Sequence, residues 1–91
     1  MTSYLIGYDL NRPGQNYQTL FDAIKAQSTG YWWHHLDSTW IIKSNSTAEA
    51  LRDALLPYID ANDELLVVQL VREAAWYGFN ANGASWLLSN L

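Results

Sequence analysis

Asp9 is the residue best placed for chemistry. It closes the apolar run Ser3-Tyr4-Leu5-Ile6-Gly7-Tyr8, and a carboxylate at the end of a strand offers hard oxygen ligands to Mg²⁺ or Mn²⁺. An ion held there could activate water against a phosphodiester. The same position suits a turn. Asn11, Pro13 and Gly14 follow it, and an aspartate before such a turn accepts backbone N–H groups. No second carboxylate lies at a ligand spacing beside it, so spacing alone favours the turn.

His34 and His35 are adjacent. On a strand they point to opposite faces and cannot hold one ion together. His35 could act as a general base, because imidazole titrates near neutrality. A strand histidine among tryptophans more commonly makes a hydrogen bond at a rim. His35, Asp37 and Ser38 contain the residue types of a nucleophilic triad, but a hairpin tip does not impose that geometry and no nucleophile elbow is present. The tryptophans and tyrosines could stack bases, yet without basic neighbours they read as core and interface. Gly7 marks a close approach or a bulge within a strand, Gly78 and Gly83 read as turn residues, and none belongs to a phosphate-binding loop.

Charge narrows the partners. Five Lys/Arg (Arg12, Lys25, Lys43, Arg52, Arg72) oppose nine Asp/Glu, for a net charge of −4. The cations are scattered, whereas nucleic-acid binders carry a basic footprint. Nucleic acid or a nucleotide is therefore disfavoured as a partner of the monomer, although a dimer could gather Arg12 and Lys43. At 91 residues the chain is expected to be one small domain. Its 49% apolar residues, five of them Trp, exceed what one small core hides, which favours a homodimer interface. Without cysteine there is no disulfide framework or thiolate metal site. No run is long enough to span a membrane and no signal peptide is evident, so a cytoplasmic protein is expected.

The elements that must position Asp9 follow from periodicity. The opening strand gives way to a helix from an N-cap at Asn16 to about Gln27, with Tyr17, Leu20, Phe21 and Ile24 on its buried face. Gly30 suits a left-handed cap. Tyr31 to Leu36 and Thr39 to Ser44 form a β-hairpin, with Tyr31, Trp33 and His35 on one face and Trp32, His34 and Leu36 on the other. Ser46-Thr47-Ala48-Glu49 reads as a capping box. The helix it opens buries Ala50, Leu51, Ala54 and Leu55 and ends at Pro57.

Glu64 to Arg72 is apolar on both faces, the mark of a central strand covered on both sides. Residues 74–79 form an irregular crossing or a short extra strand, and Trp86-Leu87-Leu88 a short helix. The order strand, helix, strand, strand, helix, strand predicts an α+β, ferredoxin-like antiparallel sheet with two helices on one face. The other face must then meet the tail, a second subunit, or both.

Tyr4-Leu5-Ile6-Gly7-Tyr8-Asp9-Leu10 before a breaker resembles the opening strand of the small CRISPR-associated adaptation nucleases and of the virulence-associated protein D toxins. Ser38 to Lys43 looks like that family's third strand and Asp63 to Val71 like its fourth. The whole chain is also similar to small bacterial proteins labelled "SinR family", which, like this chain, carry no helix-turn-helix. The resemblance implies a ferredoxin-like homodimer whose tail crosses to the partner's sheet. It also implies a metal-binding aspartate at Asp9, with Tyr8 beside it as the other half of the motif. The function it implies is metal-dependent phosphodiester hydrolysis on RNA or a nucleotide. The alternative is a non-catalytic interaction module, one half of a toxin–antitoxin or defence pair with a protein partner.

Overall fold

The computed structural model describes residues 1–10 and 17–91. In chain order these form β1 (Thr2–Asp9), α1 (Gln18–Gln27), β2 (Trp32–Leu36), β3 (Thr39–Ser44), α2 (Ala48–Leu55), a 3₁₀ turn at Leu56–Tyr58, β4 (Glu64–Gln69) and α3 (Ala81–Asn90). The strands make one antiparallel sheet in the order β2-β3-β1-β4. The architecture is α+β, as expected. None of the helices among the described residues is long and apolar enough to cross a membrane. The turn expected at Asn11–Gly14 and the cap expected at Asn16 lie outside the described residues.

Alternation along β1 divides the molecule into two cores. Tyr4 and Ile6 point with Trp40 and Ile42 of β3 toward the helices, where they meet Leu20 and Ile24 of α1 and Leu51 and Leu55 of α2. These side chains are nearly or wholly buried, so truncating one such leucine to alanine would cost about 2–5 kcal/mol through lost transfer energy and a cavity. On the other face Trp33 and Ile41 pack against Leu87 of α3, flanked by Trp76 and Phe79. The tail covers its own sheet. The Ser3 hydroxyl donates to the Asn90 carbonyl at 3.1 Å, tying the end of α3 to β1.

Several expectations need correction. The strand read as central is an edge strand: among the described residues β4 pairs only with β1. Leu65 and Val67 pack on the helix-side core, but Leu66 is 59% and Val68 40% exposed. In β2 the register shifts between Trp33, opposite Ile41, and Leu36, opposite Thr39. This bulge carries Leu36 to the Trp33 face rather than the opposite one. The α2 cap is Thr47, whose Oγ1 accepts the Ala50 amide at 3.1 Å, not Ser46. Ser46 instead offers its carbonyl to the Tyr4 hydroxyl at 2.7 Å.

The tail helix is also longer than the short segment expected around Trp86. It starts at an Asn80 cap whose side chain accepts the Gly83 amide at 2.8 Å, so Gly83 belongs to the first turn of a helix and not to a loop. Gly30 and Gly78 hold positive φ, 98° and 89°, the left-handed conformation that favours glycine, but α1 is capped by an extended Ser28, so Gly30 lies beyond the cap rather than forming it.

Candidate functional site

Asp9 sits at the exposed end of β1, on the face away from α1 and α2. Its cross-strand partner is Glu64, the first residue of β4. The sequence offered no carboxylate near Asp9; pairing of β1 with β4 supplies one. Two like charges opposite each other on a sheet repel, and their oxygens can relieve that repulsion on a divalent cation. Mg²⁺ is commonly held through one or two carboxylates with water and phosphate oxygens completing the shell, so Asp9 and Glu64 fit part of such a site. Among the described residues no group of three or more His, Asp or Glu side chains converges as a metal site.

Tyr8 faces the other way. Its hydroxyl accepts the Trp40 indole N–H at 3.0 Å and donates to the Asp37 carbonyl at 3.3 Å. Burial raises its phenol pKa above the usual value, the Trp40 hydrogen bond pulls it down, and the Asp37 charge pushes it up further. A phenol so held stays neutral at physiological pH and serves the core.

The two histidines lie on opposite faces, as alternation requires. His34 stacks on Trp40, with centroids 3.9 Å apart and planes 13° apart, and its Nε2 lies 3.2 Å from the Asp37 carbonyl. His35 lies on the Trp33 side, against Trp33 and Phe79 at 5.2 and 6.1 Å. β3 separates it from β1, a lateral spacing of about 10 Å between the strands that carry His35 and Asp9. Asp9, Tyr8 and His35 therefore do not form one constellation. Tyr8 is directed into the helix-side core, Asp9 lies open at the end of β1, and His35, itself exposed, lies beside the first turn of α3.

The charges separate along the strands. Asp9, Glu64 and the Asp37 turn share one end of the sheet, where the Tyr8 amide donates to the Ser38 carbonyl at 3.1 Å. Lys43 lies at the other end, opposite Ser3. Lys25 is placed 4.8 Å from the Trp32 ring. Lys25 and Lys43 thus lie toward the end opposite Asp9 and Glu64, while Arg12 lies outside the described residues.

One feature was not legible in the sequence. An apolar cleft of about 290 Å³ opens between the sheet floor, Leu5, Thr39 and Ile41, and a wall made by Val71, Ala74 and Trp76. Its residues come from four separate stretches, so no local pattern announces it. Compared with protein-family models, with curated proteins and with solved structures, the chain matches none.

Proposed function

We propose that this chain is a cytoplasmic, ferredoxin-like homodimer akin to the CRISPR-associated adaptation nucleases and virulence-associated protein D toxins, working through association with protein as an interaction module. The element order β-α-β-β-α-β, with both of those helices on one face, supports the ferredoxin-like reading. The observation that carries the association is β4. A strand patterned for burial on both faces stands at the edge of its sheet with Leu66, Val68 and, just beyond it, Val71 exposed. Native edges are normally blunted by lysine, proline or cover; β4 has neither residue type. The net charge of −4 makes protein a better partner than nucleic acid. Sedimentation velocity across the micromolar range tests this: a dimer is expected, and a monomer at every concentration overturns it.

A second reading is favoured by the pairing of Asp9 with Glu64. In it the protein is a metal-dependent phosphodiesterase acting on RNA or a nucleotide. Asp9 and Glu64 hold Mg²⁺ or Mn²⁺, and the bound ion supplies an activated water. Cleavage assays with either ion, comparing wild type with Asp9→Asn, decide it. Activity surviving the substitution removes Asp9 from any catalytic role.

A further inference from the structure

The free edge of β4 has a defined hydrogen-bonding pattern. In an antiparallel pair, residues alternate between those whose N–H and C=O face the neighbour and those whose groups face away. The Leu70 amide donates to the Ser3 carbonyl at 2.9 Å, in the same register that sets Leu66 opposite Gly7. Counting back in twos, Leu66 and Val68 spend their backbone groups on β1. Leu65, Val67 and Gln69 present theirs to the outer side, where β4 has no neighbouring strand among the described residues.

Beside that edge runs a groove lined by Glu49 and Arg52 of α2 together with Leu65, Leu66 and Val67. Arg52 pairs with the adjacent Asp53, at 2.9 Å, in an exposed pair of the kind worth little. One acid and one base three residues apart on a helix make a self-complementary mark. A two-fold axis between them would set each against the other's mate, as an isologous interface requires.

We propose that a second copy of this chain adds its β4 antiparallel to this edge, with the two-fold axis at Leu66. Two four-stranded sheets then become one continuous sheet. Leu65 exchanges backbone hydrogen bonds with the partner's Val67, and the two exposed Leu66 side chains meet. Glu49 faces the partner's Arg52. β3 and β4 both run antiparallel to β1, so α2, which connects them, runs against β4 and the two α2 helices lie antiparallel across the axis. The apolar pattern of β4 is then that of a central strand, which it becomes only in the dimer.

This inference rests on the homodimer reading and constrains the catalytic one. Three strand spacings of about 4.8 Å and four residues of about 3.4 Å rise place the two Asp9 residues about 20 Å apart. They cannot share an ion, and a metal site would belong to Asp9 and Glu64 of one protomer.

The chain has no cysteine, so single-cysteine variants report cleanly. Leu66→Cys is expected to form a disulfide-linked dimer under mild oxidation at concentrations where Tyr77→Cys, 98% exposed and outside the proposed interface, stays largely uncross-linked. Glu49→Arg replaces two symmetry-related attractions by repulsions and is expected to raise the dimer dissociation constant about tenfold. Adding Arg52→Glu is expected to bring it back to within about threefold of wild type. A wild-type dimer in which Leu66→Cys cross-links no faster than Tyr77→Cys and Glu49→Arg has no effect overturns this interface while leaving the homodimer standing. A wild type that stays monomeric overturns both.

Discussion

The imidazole of His35 lies against the α-carbon of Gly83, so that a β-carbon at Gly83 would fall 3.0 Å from Cε1 and Nε2 of the ring. The Gly83 carbonyl accepts the Trp33 indole N–H at 3.2 Å. Together these contacts lay the first turn of α3 on β2. They explain a glycine inside a helix, with the exposed His35 ring set against its first turn.

Glycine in a helix interior costs roughly 0.5–1 kcal/mol relative to alanine. Gly83→Ala is expected to recover about that much in a His35→Ala background. In the wild-type background it gains less or loses stability, because the ring must leave its place between Trp33 and Phe79. Denaturant unfolding of the four proteins in a double-mutant cycle measures this. A coupling below about 0.3 kcal/mol would mean that the ring moves aside freely.

Tyr8 predicts a pH dependence. Burial lifts its pKa in the folded state above the unfolded value. Its contribution is fully present below the ordinary tyrosine pKa of about 10 and is lost as pH rises through the folded value. Alkaline melts of wild type should lose stability faster than those of Tyr8→Phe. At neutral pH Tyr8→Phe is expected to cost about 1–2 kcal/mol, since the Trp40 N–H loses its acceptor.

Two neighbouring hydroxyls separate the observed cap from the expected one. Thr47→Ala should cost about 1 kcal/mol by freeing the Ala50 amide. Ser46→Ala should leave thermal stability within about 0.5 kcal/mol, because Ser46 meets Tyr4 through its backbone carbonyl. Equal losses would show that both hydroxyls cap α2.

Asp9 and Glu64 repel across the β1–β4 ladder. Asp9→Asn should raise stability by about 0.2–1 kcal/mol at neutral pH and low salt, with the gain shrinking as salt rises. If the pair also takes an ion, millimolar Mg²⁺ or Mn²⁺ will raise the melting temperature of wild type and leave that of Asp9→Asn unchanged. The same small shift in both proteins would assign the metal effect to general screening.

Local pattern made much of the fold legible. The spacing of Leu20, Phe21 and Ile24 identified a helix and its buried side, and α1 follows it. Adjacent His34 and His35 had to face opposite ways on a strand, and they do. What escaped was what depends on distant residues. The bulge that turns Leu36 over arises where β2 meets β3. The cap falls on Thr47, one residue on, while the Tyr4 hydroxyl of β1 donates to the Ser46 carbonyl. The tail helix reaches back to Asn80 because Asn80 caps it and Trp33 anchors the Gly83 carbonyl.

The sequence by itself determined the order of the strands and the first two helices, the buried side of α1 and the carboxylate that ends the first strand, because alternation and helical periodicity are written in neighbouring residues. Only the tertiary structure decided that β4 stands at the edge and that Glu64 comes to face Asp9. Strand order and register are properties of pairing between segments far apart in the chain, and no run of adjacent residues encodes them.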